Sequence, residues 1–448
     1  MTAQQPITAA TAPHRLSASA ASRLIAARKM SAEELVRDCL HRIATRDGAV
    51  KAWSHLDPDR AIRLAREADR RIFADGPRGP LDGLPFGVKD IIDTADMPTE
   101  DNTPGHAGHR PSRDASCVRI LRAAGAYALG KAETVEYAAL GGRVGATRHP
   151  LDPGRTPGGS SSGSAAAVGD VQVPLAFGSQ TGGSLIRPAS FNGIYALKPT
   201  HAAVSWEGAR HNAPSLDTIG WYGREPADLA LIAAAMRLRG METRAPETPA
   251  RLRVGIARTH NWDKCAPEAQ AALARAATLL ADAGAVVRDI DLPTPFERLN
   301  WAQEMLMIGQ AMPSFLAEYV GAHADLGEGF RDVVRNAHGI DAAQLLEADD
   351  LAAACRPRFD ALFADVDVIV TPAALGEAPE GLGSTGDHVM NAIWTALHVP
   401  CIAMPGHVGP NGLPVGVQII GPRFGDARLL SIAEVLAPVL DPALASGP

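Results

Sequence analysis

From about residue 84 to the C-terminal region, short apolar runs alternate with longer stretches in which apolar residues recur at helical spacing. Apolar runs of about four to eight residues are typical of buried strands, and the longer periodic stretches are typical of helices. We predict strands at 86–88, 126–129, 174–177, 252–256, 286–290, 366–370, 401–404 and 416–420. We predict helices at 115–124, 226–236, 267–283 and 426–436. Because strands and helices alternate, the pattern predicts an α/β fold in which helices cover both faces of a sheet.

The N-terminal part of the chain has a helical pattern before any strand is predicted. Ser31 is followed three residues later by Glu34, a capping-box pattern that predicts the start of a helix. Asp59 precedes a second, Arg- and Ala-rich helix that ends near Phe73. The predicted division of the chain is a flexible tail at 1–15 and one domain at 16–448, with N-terminal helices at about 16–75, a catalytic core at about 80–225 and further sheet and pocket helices at about 226–440.

The segment between residues 141 and 220 departs from this alternation, because it is rich in Gly, Ser, Thr and Pro. A long irregular segment inside a compact protein is usually functional or disordered. Apolar residues are interspersed through this one, so we expect it to be ordered and functional. Two clusters in it combine Gly with Ser, at 157–164 and at 180–184. Glycines let backbone N–H groups approach a ligand, and a run of such groups stabilises a phosphate or the oxyanion of an acyl-transfer reaction.

Three interpretations of this chemistry are open at this point. The best match to a phosphate-binding loop is at 125–131, but Ala132 stands where Ser or Thr would reach magnesium. A hydrolase nucleophile elbow would centre on Ser161, yet three prolines and no predicted strand precede it. The third interpretation is a serine that is activated by a lysine. Lys89, at the end of an apolar run, is the candidate, because a buried lysine has a lowered pKa and acts as a base when neutral.

The bulk composition narrows the classes of function. The chain has 448 residues, a formal net charge of −7 and scattered arginines, which argues against a nucleic-acid-binding surface. No stretch of about 18 apolar residues occurs, so we expect no membrane span. The five cysteines lie far apart and form no Cys-x-x-Cys pair, as expected for buried free thiols in a reducing compartment. The N-terminus does not have the pattern of a secretory signal, and these features together predict a soluble cytoplasmic protein.

The motifs of the central segment together resemble the amidase signature family. Lys89 lies in Gly-Val-Lys-Asp, Ser160 lies in Gly-Gly-Ser-Ser-Ser-Gly-Ser, and Ser184 ends Thr-Gly-Gly-Ser, 24 positions after Ser160. Further matches occur from about residue 16 to about residue 440. The resemblance implies the family's α/β/α fold, in which helices cover a central mixed sheet. It also implies an amidohydrolase that needs no metal and no cofactor.

The resemblance further implies a role for each matched residue. Ser184 is expected to be the nucleophile that forms the acyl-enzyme, and Ser160 is expected to relay a proton between Ser184 and Lys89. Lys89 would then return the proton through Ser160 to the leaving amine. The peptide bond before Ser160 is cis in the family. The predicted oxyanion hole consists of the N–H groups of Thr181, Gly182, Gly183 and Ser184.

Several positions depart from the family pattern and suggest an acyl pocket unlike that found in the tRNA-dependent amidotransferases. Gln180 stands where many members have Asp, and Arg187 is shifted by one position from the usual Ile-Arg after the nucleophile. We expect Arg187 to form a structural ion pair, with binding of a substrate carboxylate as the alternative. We expect Ser161, Ser164 and Asp217 to support the site rather than to react. The candidate substrate-binding residues are Arg187, Met305, Met312 and Trp394, although the last three also fit core packing.

The predicted function is hydrolysis of a small-molecule carboxamide, with ester, ureido and carbamate bonds as further candidates. Two alternatives stay open. One is the glutamine-hydrolysing subunit of an amidotransferase, which would need a partner chain, and the other is a catalytically inactive scaffold of the same fold. The resemblance is compatible with a homodimer, and we expect no nucleic-acid or membrane partner.

Overall fold

The computed structural model describes residues 12–244 and 247–441, in which strands and helices alternate as the sequence pattern predicts. The strands are β1 (Trp53–Leu56), β2 (Pro85–Lys89), β3 (Tyr127–Ala132), β4 (Leu175–Gln180), β5 (Tyr195–Lys198), β6 (Thr218–Gly223), β7 (Arg253–Ala257), β8 (Val286–Ile290), β9 (Val368–Pro372), β10 (Cys401–Val408) and β11 (Pro414–Ile420). The helices are α1 (Ala18–Ala26), α2 (Ala32–Val50), α3 (Pro58–Asp75), α4 (Ser116–Ala123), α5 (Ser162–Gly169), α6 (Ile186–Asn192), α7 (Pro226–Ala235), α8 (Pro267–Asp282), α9 (Leu299–Ser314), α10 (Leu316–Gly321), α11 (Glu328–Val334), α12 (Ala342–Ala361), α13 (Val389–Ala396) and α14 (Asp426–Leu440). The predicted α/β fold class is confirmed.

All of these strands belong to one mixed sheet, in the order β1-β3-β2-β4-β6-β5-β10-β11-β9-β7-β8. Strand β2 pairs in parallel with β3 on one edge and with β4 on the other, and β4 pairs antiparallel with β6. Every residue of β2, β4 and β6 is buried. Lys89 is the last residue of β2, and its side chain is fully buried.

The two faces of the sheet pack against separate hydrophobic clusters. Leu175 and Phe177 of β4 belong to one cluster together with Val88, whereas Ala176 belongs to the other. Successive side chains of a strand point to opposite faces of the sheet. The partition therefore agrees with the prediction that apolar helices cover both faces.

The N-terminal helices follow the predicted pattern, with one difference at a helix start. Ser31 and Glu34 form the predicted capping box at the beginning of α2. The cap of α3 is Asp57 rather than Asp59, which lies inside the helix. The helix begins earlier than predicted because Pro58 occupies its first position, where a fixed φ and a missing N–H are favourable.

Strands β1, β5 and β6 were not predicted. Strands β5 and β6 lie in or next to the segment whose Gly- and Ser-rich composition indicated loops. Gly220 of β6 is required by close packing, because an added Cβ would lie 2.2 Å from the carbonyl oxygen of Leu197. β6 is stabilised by pairing with β4 and β5, contacts between distant parts of the chain that composition does not reveal.

Other expectations from composition are compared with the structure here. All five cysteines are buried free thiols, as predicted. Residues 12–15 of the predicted tail are described, and there His14 N donates to Asp38 Oδ2 at 2.8 Å. Residues 1–11 of the predicted tail lie outside the described residues. None of the helices in the described ranges combines the length and the apolar character of a membrane span.

The first testable prediction concerns the buried ion pair between Lys131 and Asp90. Lys131 of β3 is fully buried, and its Nζ lies 2.9 Å from Asp90 Oδ1. Burial raises the pKa of Asp90 to about 6, although Lys131 opposes that shift. Replacing Lys131 with Met (Lys131→Met) leaves a buried carboxylate without its cation, so we expect the free energy of unfolding at pH 8 to fall by about 3–5 kcal/mol.

Urea denaturation at pH 8 and at pH 5 measures this effect. The loss should be smaller at pH 5, because protonation of Asp90 removes the unpaired charge. Arg37→Met, in the exposed pair with Glu33, is the control and should change stability little. A Lys131→Met loss no greater than that of the control would contradict the prediction.

Candidate active site

The end of β2 holds Lys89 in the interior of the protein, where its side chain is fully buried. Its Nζ lies 2.7 Å from Ser160 Oγ and 2.8 Å from Ser179 Oγ. Burial holds the pKa of Lys89 well below its usual value, and the more distant charge of Asp217 opposes that shift only in part. A lowered pKa favours the neutral amine, the form that is able to accept a proton from a neighbouring hydroxyl.

Ser160 lies in the loop that precedes α5 and is 5% exposed. The peptide bond between Gly159 and Ser160 is cis. The carbonyl oxygen of Ser160 accepts hydrogen bonds from Val135 N at 3.2 Å and from Thr134 Oγ1 at 3.1 Å. These bonds hold the backbone of Ser160, and its hydroxyl contacts the amine of Lys89.

Ser179, near the end of β4, is a contact of Lys89 that sequence reasoning missed. Its backbone N–H and its carbonyl oxygen each lie 3.1 Å from Ser161 Oγ, which holds this stretch of β4 against the Ser160 loop. Ser161 is thus a structural hydrogen-bonding residue, as predicted. Pairing of Val88 with Phe177 brings Ser179 close to Lys89. The sequence predicted a strand that ended at Phe177, before Ser179, and gave no signal of which strand it would pair with.

The loop at 181–184 joins β4 to α6. The N–H groups of its last three residues donate no hydrogen bond to any residue in the described ranges. Thr181 anchors the loop by donating from Oγ1 to Asp217 Oδ1 at 2.7 Å. The other oxygen of Asp217 accepts from Asn212 N at 2.9 Å and Ala213 N at 3.0 Å, so Asp217 has the predicted supporting role. Three adjacent free N–H groups are what an oxyanion-binding nest requires.

Ser184, the predicted nucleophile, is half-buried at the end of this loop. Its carbonyl oxygen accepts a hydrogen bond from the hydroxyl of Tyr222 at 3.2 Å. Its own hydroxyl makes no hydrogen bond within the part of the chain that the structure describes, so the expected contact with Ser160 is not formed here. Catalytic hydrogen bonds are often long before a substrate binds. The Ser160–Ser184 link of the relay stays a prediction.

Arg187 lies in the first turn of α6 and is only 3% exposed. Its Nη2 donates to the carbonyl oxygen of Gly159 at 2.6 Å and to Thr385 Oγ1 at 2.9 Å. Its Nε and Nη1 are buried and have no partner in the structure. Burial lowers the pKa of Arg187 to about 10, with Asp387 opposing the shift from a distance. The structural ion pair that we expected for Arg187 is not present among the described residues, and a buried cation retains free donors.

Two further side chains that sequence reasoning missed cover the glycines of the 181–184 loop. An added Cβ on Gly182 would lie 2.7 Å from His388 Cδ2, and one on Gly183 would lie 2.5 Å from Asn391 Oδ1. Burial and the charge of Arg187 lower the pKa of His388 to about 4, so its imidazole is neutral near pH 7. These residues follow the loop by about 200 positions, and no local motif connects them with it.

The remaining candidate pocket residues have other contacts. Trp394 is fully buried, with its ring centroid 5.5 Å from that of Phe359. Met305 is half-buried against the hydrophobic clusters beneath α9, and Met312 is 42% exposed on the surface. These contacts agree with the packing alternative for Trp394 and Met305. Contact of any of the three with a substrate stays a prediction.

His106 and the segment that most resembles a phosphate-binding loop have structural contacts. His106 Nδ1 lies 2.9 Å from Asp101 Oδ2, and within the described ranges no three His, Cys, Asp or Glu residues are grouped as metal ligands. Residues 127–132 form β3, so the sequence that resembled a phosphate-binding loop is a strand of the sheet.

One mixed sheet between layers of helices, with a serine-bearing glycine loop and a buried lysine, defines a hydrolase that acts on carbon–nitrogen bonds. The chain belongs to the amidase family, whose model matches residues 34–430, and the resemblance to the amidase signature family is thereby confirmed.

Similar proteins include both amidotransferase components and amidases. The A component of the glutamyl-tRNA(Gln) amidotransferase of Chloroflexus aurantiacus is 32% identical, over 94% of this chain and 96% of that protein. The crystal structure of an amidase matches with a TM-score of 0.87 at 26% identity, covering 95% of this chain and all of that one (100%). The native peptide amidase from Stenotrophomonas maltophilia matches with a TM-score of 0.80 at 27% identity, covering 95% and 97% of the two chains.

The second testable prediction uses the close packing over the 181–184 loop. In the variant Gly183→Ala, the added Cβ would collide with Asn391 Oδ1 and lie 2.8 Å from His388 Cβ, so the loop must shift. We expect the rate at which a fluorophosphonate labels Ser184 to fall at least tenfold. Gly48→Ala, in α2 with nothing within 4 Å of the added Cβ, is the matched control and should label at the wild-type rate. Equal rates for the two variants would contradict the prediction.

Proposed function

We propose that this protein hydrolyses the amide bond of a small carboxamide through an acyl-enzyme on Ser184, with Lys89 and Ser160 as a proton relay. The observation that carries the proposal is the contact between a fully buried amine and a serine hydroxyl, 2.7 Å from Lys89 Nζ to Ser160 Oγ. The lowered pKa of Lys89 supports a neutral base. The free N–H groups of the 181–184 loop support an adjacent oxyanion hole.

The reaction proceeds in two halves that use the same groups. Ser184 Oγ attacks the amide carbon while its proton passes through Ser160 to Lys89 Nζ. The N–H groups of Gly182, Gly183 and Ser184 stabilise the oxyanion of the tetrahedral intermediate, with the N–H of Thr181 at the edge of the hole. The C–N bond then breaks as the proton returns through Ser160 to the leaving nitrogen. A water molecule repeats the sequence on the acyl-enzyme, which releases the carboxylic acid and regenerates the hydroxyl of Ser184.

For the substrate class, we propose an amide that also carries a carboxylate, bound by Arg187. Its Nε and Nη1 are buried donors without a partner, and an unpaired buried charge is costly unless a ligand compensates it. The third nitrogen, Nη2, holds Gly159, the residue next to Ser160, so the cation lies close to the proposed relay. Because Nη2 is already bonded, a carboxylate would accept a charge-assisted hydrogen bond from Nε or from Nη1, which lie on different edges of the guanidinium.

The second candidate function is glutamine hydrolysis as one component of an amidotransferase. It is favoured by the 32% identity with the glutamyl-tRNA(Gln) amidotransferase component of Chloroflexus aurantiacus over 94% of the chain. Glutamine also carries a carboxylate, so Arg187 does not discriminate between the two candidates. Turnover of simple amides by the isolated chain, without a partner protein or nucleotide, would favour the amidase.

The third testable prediction concerns the base. A fluorophosphonate should label Ser184 at a rate that rises with pH through a midpoint well below the pKa of free lysine, because Lys89 must be neutral to accept the proton. Ser184→Ala should not be labelled. Lys89→Met should lower the rate by about 10²–10⁴-fold, the usual contribution of a general base.

Lys198→Met is the matched control for the loss of a buried amine. Lys198 is also fully buried, but its Nζ donates to the carbonyl oxygens of Pro199 at 3.0 Å and Val399 at 2.6 Å instead of to serines. Folded Lys198→Met should keep the wild-type pH profile. A Lys89→Met protein that keeps the wild-type rate and pH profile would exclude lysine as the base.

The fourth testable prediction compares succinamate with butyramide, which differ by a terminal carboxylate in place of a methyl group. We expect the wild-type kcat/KM to favour succinamate by at least tenfold. Arg187→Gln should lower that ratio at least tenfold, mainly through the KM for succinamate, since a hydrogen bond to a charged group contributes about 1.5–3 kcal/mol. Arg187→Lys, which keeps the charge but not the planar guanidinium, should give a succinamate-to-butyramide ratio between those of wild type and Arg187→Gln. A wild-type ratio near one would contradict carboxylate binding.

A further inference from the structure

The carbonyl oxygens of Thr181, Gly182 and Gly183 each accept a hydrogen bond. The donors are Gln303 Nε2 to Thr181 O at 3.0 Å, Thr395 Oγ1 to Gly182 O at 2.7 Å and Arg187 N to Gly183 O at 3.0 Å. Gln303 belongs to α9 and Thr395 to α13, and both side chains are buried. Two helices that are distant in sequence therefore hold the backbone of the loop.

These bonds determine where the N–H groups of the loop point. A trans peptide group is planar, and its C=O and N–H point in opposite directions. Because the carbonyl oxygen of Gly182 points to α13, the N–H of Gly183 points away from α13. The same argument directs the N–H of Gly182 away from α9. Both are among the N–H groups that have no acceptor in the described ranges.

The series of hydrogen bonds that ends at Gly182 begins at Gln180, and its direction is set there. Gln180 Oε1 accepts from Leu185 N at 3.0 Å and Ile186 N at 3.1 Å, so this atom must be the amide oxygen. The amide nitrogen then faces Thr395 and donates to its Oγ1 at 3.0 Å. The series therefore runs from Gln180 through Thr395 to Gly182.

The donation from Gln180 determines how Thr395 uses its only hydroxyl proton. The hydroxyl accepts from Gln180, so its proton is free to go to Gly182 O at 2.7 Å, the shorter of its two carbonyl contacts. The other contact, Asn391 O, lies at 3.2 Å. A carboxylate at position 180 has no proton to donate and would itself accept the proton of Thr395. Gly182 O would then lose its donor.

We propose that Gln180 and Thr395 are positioning residues that orient the Gly182–Gly183 peptide group for oxyanion stabilisation. The two act together, because the hydrogen bond from Gln180 to Thr395 directs the hydroxyl proton of Thr395 to Gly182 O. The inference rests on the proposed function, because it concerns the same 181–184 loop. It gives a role to Gln180, whose amide nitrogen donates to Thr395 Oγ1 of α13. Gln303 holds the preceding peptide group in a parallel way.

The test uses four variants and two readouts. The variants are Thr395→Val, Thr395→Ser, Gln180→Glu and the double variant Gln180→Glu/Thr395→Val. The readouts are the second-order rate of fluorophosphonate labelling at Ser184, and kcat and KM on succinamate and butyramide, with Tm recorded for each protein. Thr395→Val keeps the shape of the side chain, and Gln180→Glu keeps that of the glutamine.

Thr395→Val should lower the labelling rate and kcat at least tenfold while KM stays within threefold, because an oxyanion hole acts in the transition state. Thr395→Ser, which restores the hydroxyl, should return both to within threefold of wild type. Gln180→Glu should be impaired at pH 8 and should recover toward the wild-type value measured at the same pH when the pH is lowered, because a protonated Glu donates again. The double variant should be no slower than Thr395→Val, since both changes remove the same bond.

Several outcomes would overturn the inference. They are a Thr395→Val rate within twofold of wild type, a Thr395→Ser rate as low as that of Val, losses that multiply in the double variant, or a loss that follows Tm or KM instead of kcat. If Ser184 of the wild type were not labelled at all, the proposed function would fail, and the inference with it. Labelled wild type with unaffected variants would overturn the inference alone.

Discussion

The burial of one amine without a carboxylate partner is the constraint on which the rest of the site depends. Lys89 is held at the end of a strand that is bonded on both edges, and its nearest polar neighbours are the hydroxyls of Ser160 and Ser179. Hydroxyls hydrogen-bond an amine without bringing a negative charge, so they do not offset the lowering of its pKa by burial as a carboxylate would. Lys131, in the neighbouring strand β3, contacts Asp90 instead. Two buried lysines of adjacent strands thus have different electrostatic environments, and only one of them lacks a counterion.

The second requirement is a backbone whose donors are left free. The 181–184 loop turns its carbonyl oxygens toward helices and leaves three N–H groups without acceptors in the described part of the chain. Its glycines are needed because His388 and Asn391 pack directly on them. Free donors of this kind are costly in a folded protein unless function requires them. Under the proposed function, these free donors are the groups that bind the oxyanion.

The side chain of Arg187 also has buried hydrogen-bond donors that are left free. Its guanidinium is buried, bonded on one nitrogen to the peptide next to Ser160, and unpartnered on the other two among the described residues. The imidazole of His388 lies nearby, and its lowered pKa of about 4 means that it adds no second positive charge near pH 7. A buried cation with free donors beside the proposed nucleophile loop is the feature of this chain that bears most directly on the class of substrate.

The sequence alone determined the α/β class, most of the strands, helices α2, α3, α4, α7, α8 and α14, and the residues of the Gly/Ser clusters, because periodicity and short motifs are local properties of a chain. It indicated Lys89, Ser160 and Ser184 through their motif contexts. The strands at 195–198 and 218–223, the contact of Ser179 with Lys89, and the supports from Gln303, His388 and Thr395 depended on tertiary structure. The tertiary structure also contradicted the expected ion pair of Arg187, because no carboxylate in the described ranges is bonded to its buried guanidinium. The physical reason is common to all of them: burial, a missing counterion and the direction of a hydrogen bond depend on which distant residues the fold brings together.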